Sequence, residues 1–181
     1  IRGIHRQVKS GVARCAMFIN AGSRDELANE FGIAHFTEHG FFKGTEHRQA
    51  YQVNCRLETL GGELNAFTTK EDTTVHATVL RGDFSKAVEL IADVVFHSTF
   101  PDNLLDKERE VILDEINTYR DSPMEAIYDT FEDMIFAGSE LGHNILGTPR
   151  SLKGINSAAI HRFRARTHTT DKMVFASIGN I

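Results

Sequence analysis

Two histidines and a glutamate lie within five residues of one another in the segment GIAHFTEHGFFKGT, residues 32–45. Residues four apart share one face of a helix, so a helical segment would direct His35 and His39 to the same point. One ring nitrogen of each could then bind a single metal ion at about 2 Å. Glu38 would lie about 100° around the helix from His39, beside the ion, where it could accept a proton from a bound water molecule. The spacing therefore predicts a catalytic metal site.

The residues around this motif favour a metal site over two histidines that are merely exposed on a helix. They are apolar or small, namely Gly32, Ile33, Ala34, Phe36, Phe41 and Phe42. A segment of this composition is typically buried, and buried polar side chains are costly unless something pairs with them. Glu38 stands next to the second histidine, which reverses the order of the H-E-x-x-H zinc-binding helix.

A catalytic zinc ion needs a third protein ligand and keeps one coordination position open. The helix predicted over residues 102–120 offers two candidates, Glu108 and Glu115. They belong to a stripe, with spacings of four, three, four and four, that consists of Leu104, Glu108, Val111, Glu115 and Tyr119. The band is widened by Leu105, Ile112 and Ile116. Carboxylates within such a core-like band need a metal, a cation or hydrogen-bond donors. The spacing leaves the choice between the two acids open, and an ordinary exposed acidic face is the alternative.

The composition argues against several other classes of protein. The 181 residues carry a net charge of −5, with 41% hydrophobic and 25% charged residues, which is ordinary for a globular protein. Lysine and arginine are scattered, and the most basic run, HRFRARTH (161–168), fits a solvated helix face, so we expect no nucleic-acid partner. No apolar run is long enough to span a membrane. Because the chain starts at Ile1, we expect its native start to lie upstream, and the compartment is not predicted.

The elements that would position the motif are strands followed by helices and a last strand. Apolar patterns bounded by turn residues predict strands over residues 12–23, 63–69, 73–80 and 173–180, the middle two as an antiparallel pair. Besides the motif helix, the predicted helices cover residues 47–62, 84–100, 102–120 and 123–137 and the basic run. This order indicates an α+β fold, a mostly antiparallel sheet packed against helices.

Taken together, these motifs resemble those of the insulinase/pitrilysin family of zinc peptidases, inverzincins with a signature close to G-x-A-H-F-L-E-H-M-x-F-K-G-T. Other segments match in family order, namely AGSRDE (21–26), LGGELNAFTTKEDT (60–73), KEREVILDEI (107–116), DSP (121–123) and HNILGT (143–148). The matches extend from about residue 17 to residue 180. Thr37 replaces the usual leucine, Gly40 the usual methionine and Asp114 a common glutamate. We expect these departures to alter packing rather than chemistry.

The resemblance implies a role for each candidate residue. His35, His39 and Glu115 would bind one Zn²⁺ ion per chain, and Glu38 would act as the general base. Glu108 would support the site without contacting the metal. Asn65 and Ala66 would pair with the substrate backbone. Glu115 lies 76 residues after His39, where the family has its third ligand. The resemblance thus makes the choice that spacing leaves open.

The resemblance also implies that the chain is part of a larger assembly. Residues 1–181 would form the N-terminal peptidase domain of a clam shell built from two homologous halves. The second half, absent from this chain, would belong to the same protein or to another one and would contribute an Arg/Tyr pair. We expect the isolated domain to bind zinc but to cleave weakly or not at all. The expected partners are a peptide or unfolded substrate, the second half, and further copies of the chain in a homo-oligomer.

Two other interpretations are open at this point. The chain could be a non-catalytic homologous subunit of a two-chain peptidase. Retention of both histidines and of the three acids argues against this, because such subunits commonly lack parts of the motif. The site could instead hold a structural zinc ion, which would need a fourth protein ligand. The candidates for that ligand, by elimination, are His76, His97 and His143.

Overall fold

The structure is a computed structural model that describes residues 1–181, the side chain of Glu125 excepted. The described residues form five strands, namely β1 (Arg2–Gln7), β2 (Val12–Ile19), β3 (Glu63–Thr68), β4 (Thr73–Leu80) and β5 (Met173–Gly179). They also form seven α-helices, namely α1 (Ile33–Phe41), α2 (Ala50–Glu58), α3 (Phe84–His97), α4 (Asp102–Asp121), α5 (Pro123–Ile135), α6 (Pro149–Leu152) and α7 (Ser157–Thr167). Among these helices, none is both long and apolar enough to cross a membrane.

The strands form one mixed sheet in the order β1-β5-β2-β4-β3. β1 and β5 run parallel, whereas the other three neighbouring pairs are antiparallel. The predicted α+β fold, a mostly antiparallel sheet packed against helices, is therefore confirmed. β1 was not predicted from the sequence, because all six of its residues are exposed and no apolar alternation marks it. β3 forms the opposite edge of the sheet and lies next to α1.

The core lies between one face of the sheet and the helices. The alternate residues of β2 that point into it are Ala13, Cys15, Met17 and Ile19. The motif helix α1 contributes Phe36 and Phe41, both completely buried. Each fully buried phenylalanine contributes roughly 2 kcal/mol by removing apolar surface from water. The core therefore anchors the helix that carries the histidines.

Two helices differ from their predictions. The helix predicted over residues 47–62 is the shorter α2, because Thr45 and Arg48 form a turn that binds Asp93. The expectation that the acid-bearing stripe of α4 faces the core is wrong, since Val111 is 51% and Tyr119 37% exposed. The residues that α4 buries instead are Leu105, Ile112 and Ile116. The helix is turned so that Glu115 lines a cleft and Glu108 is largely buried beside His39.

The helix α5 presents apolar side chains to solvent. The most exposed ones, between 60% and 78% accessible and at helical spacing, are Met124, Ile127, Tyr128, Phe131 and Met134, hereafter the α5 stripe. The inward face of the helix is polar. Its Glu132 lies 3.2 Å from Nζ of Lys70, and its Asp129 accepts a hydrogen bond from Asn144 at 2.5 Å. This inverts the usual pattern, in which a surface helix turns its apolar side toward the core.

Candidate metal centre

The helix α1 directs both histidines of the motif toward α4. It begins at Ile33, directly after Gly32 in the left-handed conformation (φ 93°). The rings of His35 and His39 lie one turn apart on the same face, with centroids 4.5 Å apart. Glu115 approaches them from α4, which packs against α1. The segment is thus helical as predicted, and the structure brings the three candidate ligands together.

Three donor atoms of these residues form a triangle. Nε2 of His35 and Nε2 of His39 are 3.2 Å apart, and Oε2 of Glu115 lies 3.6 Å from the first and 3.7 Å from the second. A tetrahedral zinc ion with bonds of about 2.0–2.1 Å separates its donor atoms by about 3.4 Å. The triangle therefore fits one zinc ion and leaves its fourth position open. Within the described part of the chain, it is the one group of three or more potential ligands with this geometry.

Glu108 determines which nitrogen of His39 carries the proton. Its Oε1 accepts a hydrogen bond from Nδ1 of His39 at 2.7 Å, so the lone pair is on Nε2, the atom of the triangle. The other oxygen of Glu108 lies 2.5 Å from Nζ of Lys43. Burial acts to raise the pKa of Glu108, but the hydrogen bonds from Lys43 and His39 outweigh it and hold that pKa below its usual value. Glu108 is therefore ionised and orients His39, as carboxylates commonly do for metal-binding histidines.

His35 is held in its neutral form by its surroundings. Its side chain is buried, and this burial, together with the charge of His39, lowers its pKa to about 3. The neutral form is the one that binds metal ions. Its Nδ1 is buried and has no hydrogen-bond partner among the described residues, so the ring is positioned by the backbone that carries it and by packing. Burial also raises the pKa of Glu115, an effect that the charge of His39 opposes.

Glu38 lies beside the triangle in a cleft of about 330 Å³. The other walls of the cleft come from the end of β3, from α4 and α5, and from residues 144–146. Burial raises the pKa of Glu38 most strongly, the nearby Thr68 side chain and the charge of His39 lower it, and the charge of Glu115 raises it further. A carboxylate with a raised pKa exchanges protons more readily near neutral pH, which suits a general base.

The edge strand β3 leads into this cleft. Asn65 and Ala66 lie in the middle of the strand, and Phe67 and Thr68 reach the wall of the cleft. β3 pairs with β4 on one side, and among the described strands none pairs with it on the other. The exposed Asn65 accepts the backbone N–H of Ala66 through its own side chain at 2.8 Å. The predicted substrate-pairing segment is thus at an open sheet edge beside the metal triangle.

The histidines considered as a fourth ligand lie elsewhere. His76 is on β4 between Ala16 and Asn65, away from the helices that hold the triangle. His97 lies 3.4 Å from Glu46, and His143 lies 3.0 Å from Glu26. None of the three joins the triangle, so within the described residues a structural zinc site has no fourth ligand.

Two residues near the site were not singled out from the sequence. Lys43 lies four residues after His39, a spacing that indicates proximity to this histidine. Thr68 lies three residues after Asn65 in the edge strand, and its residue type gives no indication of a functional site. The departure at Gly40 also has a structural reason. A Cβ at this position would lie 2.6 Å from the ring of Phe100, so the absence of a side chain makes room for that ring.

Comparison with known proteins identifies relatives over nearly the whole chain. Residues 4–149 match the sequence profile of the insulinase family, peptidase family M16. YmxG of Bacillus subtilis, an uncharacterized zinc protease, is 38% identical over 165 residues, which are 91% of this chain and 40% of that protein. The beta subunit of the mitochondrial-processing peptidase of Dictyostelium discoideum is 33% identical over 182 residues, which are 100% of this chain and 39% of that protein.

The fold is also similar to solved structures. The crystal structure of a protease from Helicobacter pylori superposes with a TM-score of 0.92 at 21% identity and covers 99% of this chain and 44% of that one. The chain thus spans about two fifths of the length of the curated relatives it matches.

Proposed function

Because the chain belongs to the insulinase family of peptidases, we propose that it carries the catalytic zinc centre of a metalloendopeptidase. The observation that carries this proposal is the triangle of His35, His39 and Glu115, whose sides of 3.2, 3.6 and 3.7 Å suit one zinc ion. A closed structural site would use a fourth protein ligand, whereas a catalytic site keeps that position for water or substrate. The name of the Bacillus subtilis relative, a zinc protease, supports the choice of metal.

The protein's own residues would divide the work of hydrolysis. A zinc ion held by the triangle would lower the pKa of a coordinated water molecule toward neutrality and polarise the substrate carbonyl. Glu38 would accept a proton from the attacking water on its carboxylate and pass it to the leaving amine. Glu108 and Lys43 would keep the proton of His39 on Nδ1, so that Nε2 remains a ligand. Of these groups, Glu108 and Lys43 act through His39 and are positioning residues.

The substrate class would be a peptide or an unfolded protein segment. An extended backbone can add to the open edge of β3 as a further strand, with Asn65 and Ala66 opposite it. The strand would then run toward Phe67 and Thr68, at the wall of the cleft that contains Glu38. A folded protein rarely offers an extended segment with free backbone groups, so this geometry favours unstructured chains.

We further propose that residues 1–181 act as the N-terminal domain of a two-half peptidase. The chain spans about two fifths of its curated relatives, and one of these is named as a subunit. The α5 stripe supports this proposal, because a surface that exposes Tyr128 and Phe131 together with two methionines is typical of one covered by another protein segment. These residue types are enriched at the centres of protein interfaces. The second half, whether in the same protein or in another, would cover the stripe.

The α5 stripe can be tested in the isolated chain. We expect this chain to self-associate and to bind an apolar dye, because its stripe has no cover. The double variant Tyr128→Glu/Phe131→Glu should sediment as a monomer with less dye binding and an unchanged melting temperature. The exposed Asn117 of the neighbouring helix α4 offers a matched control, Asn117→Glu. Equal association of the double variant and the control would contradict the assignment.

A non-catalytic subunit is the alternative function. The Dictyostelium discoideum relative is named as one subunit of a peptidase, which supports a paired architecture. A chain that served only as a partner would not need to keep the ligands or the base. Retention of the triangle with Glu38 beside it therefore favours the catalytic role.

The direct test of catalysis is the substitution Glu38→Gln in the protein assembled with its second half. Zinc content should be unchanged, because Glu38 is not part of the triangle. Hydrolysis of a fluorogenic unstructured peptide should fall by at least about 10²–10⁴-fold, the usual contribution of a general base. Glu110→Gln, an exposed carboxylate on α4 outside the triangle and the cleft, is the control. Full activity of the Glu38 variant would overturn the proposed mechanism.

A further inference from the structure

The turn that opens α1 depends on a carboxylate that precedes the helix. The side chain of Glu26 is fully buried. Its Oε2 accepts the backbone N–H of Gly32 and its Oε1 accepts that of Ala34, both at 2.8 Å. The first N–H groups of a helix have no partner within the helix itself. Glu26 therefore caps the helix. His35 directly follows Ala34, the second of the two capped residues.

A side chain at the usual capping position could not replace Glu26. The N-cap residue is Gly32, where a Cβ would lie 2.7 Å from the carbonyl oxygen of Leu146. At Gly147, a Cβ would lie 2.3 Å from the carbonyl oxygen of Phe31. The two segments are so close that the serine, threonine or aspartate that commonly caps a helix does not fit. The cap must come from a residue outside the turn.

His143 holds this cap in place. Its Nε2 donates to Oε2 of Glu26 at 3.0 Å, and its ring stacks on Phe31 with centroids 4.0 Å apart. Its carbonyl oxygen accepts a hydrogen bond from Lys70 at 2.9 Å. The burial of Glu26 raises its pKa, and the hydrogen bonds from His143 and from the two backbone N–H groups oppose this. Residues 144–146, which directly follow His143, form a wall of the cleft. The contact between Glu26 and His143 therefore joins the opening turn of α1 to that wall.

We infer that Glu26, held by His143, is a positioning residue of the metal centre. The inference rests on the zinc site proposed above. Neither residue belongs to the triangle, but Glu26 fixes the turn that carries His35. The His35 ring has no described hydrogen-bond partner at Nδ1, so its position depends on that turn. Without the cap, Nε2 of His35 would no longer be held 3.2 Å from Nε2 of His39, which Glu108 orients independently.

The test is the metal affinity of the purified chain at 25 °C, measured for Zn²⁺ by chelator competition and for Co²⁺ by visible absorption. Glu26→Gln replaces one acceptor oxygen by an amide donor that faces backbone N–H groups. Zinc affinity should fall about tenfold, the lower end of the effects seen for residues that orient ligands, and the Co²⁺ bands should weaken. Glu30→Gln is the matched control, because Glu30 accepts a backbone N–H, that of Leu27, in the same segment. It should bind both metals like the parent.

A second pair of variants serves if Glu26→Gln does not fold. His143→Phe keeps an aromatic ring on Phe31 but removes the donor to Glu26, and zinc affinity should fall about threefold. His143→Gln retains an N–H donor and should restore most of the loss. These changes must appear in samples that are fully folded at the temperature of measurement.

The outcomes separate this inference from the zinc site itself. A purely structural cap would lower the melting temperature and leave metal affinity and the Co²⁺ spectrum unchanged. That result for Glu26→Gln and His143→Phe would overturn the inference, while the zinc site would stand. If the parent chain bound no zinc, the proposed zinc site would fall, and the inference with it.

Discussion

The carboxylate of Glu108 accepts the Nδ1 proton of His39 at 2.7 Å. This hydrogen bond decides which nitrogen of the ring can bind a metal, because a proton on Nδ1 leaves the lone pair on Nε2. Lys43 completes the arrangement by pairing with the other oxygen of Glu108. The candidate ligand His39 is thus oriented by two residues that lie outside the metal triangle.

Replacement of Lys43 should weaken zinc binding, and more so in acid. Lys43→Met removes a charge that holds the pKa of Glu108 below its usual value, so that pKa should rise. Without the ion pair to Lys43, Glu108 is held less firmly and orients His39 less well, so zinc affinity should fall about tenfold. The loss should grow toward acid pH, where Glu108 becomes protonated. Chelator competition between pH 5.5 and 8 measures the effect. Lys86→Met, which breaks the ion pair of this α3 residue with Asp83, is the control. Identical curves for the two variants would contradict the role of Lys43.

Stability should fall in mild acid because of a buried histidine beneath α1. His168 packs against Phe41 and Phe163, and burial, followed by the charges of Arg164 and Lys172, lowers its pKa to about 3. In an unfolded chain the pKa is about 6.5. Between these values the unfolded chain binds a proton that the folded chain does not. Stability is therefore lost as pH falls from about 6.5 toward 3, by up to about tenfold in the unfolding equilibrium constant per pH unit.

Urea unfolding of the metal-free chain at pH 7.5 and 5.0 measures this loss. His168→Gln removes the titrating group, so the difference in the free energy of unfolding between pH 7.5 and pH 5.0 should shrink. Part of it should persist, because burial lowers the pKa of His35 in the same way. An unchanged difference in His168→Gln would show that other groups cause the acid sensitivity.

Introduction of the methionine of the family signature at Gly40 should destabilise the protein. A Cβ there would lie 2.6 Å from the ring of Phe100, so the longer side chain would overpack a buried site. Overpacking typically costs about 1–3 kcal/mol. The midpoint of urea unfolding should fall for Gly40→Met and recover in part when Phe100→Leu is added. Equal midpoints for parent and Gly40→Met would mean that the ring moves aside at no cost.

The sequence predicts the elements better than it predicts how they meet. Helical spacing places His35 and His39 on one face, and the apolar patterns predict four of the strands, because these features depend on neighbours along the chain. The rotation of α4 depends on its packing against α1 and α5, so the burial of Val111 is predicted wrongly. β1 has no apolar pattern and forms only because β5 lies beside it. The contact of Glu26 with His143 joins positions 117 residues apart, which no local pattern reveals.

The choice of third ligand shows the same limit. Glu108 and Glu115 are two helical turns apart and face the same way, so spacing alone cannot separate them. In the fold, α1 crosses α4 so that Glu115 reaches both Nε2 atoms and Glu108 reaches Nδ1 of His39. One acid is therefore a candidate ligand, and the other orients a candidate ligand.

Metal content tests the central claim most directly. The parent chain, Glu115→Gln and Glu108→Gln would be purified without added zinc and examined by elemental analysis. We predict about one zinc ion per parent chain, its loss in Glu115→Gln and its retention for the most part in Glu108→Gln. Zinc retained in full by Glu115→Gln, or no zinc in the parent even after zinc is supplied at neutral pH, would contradict the proposed metal centre.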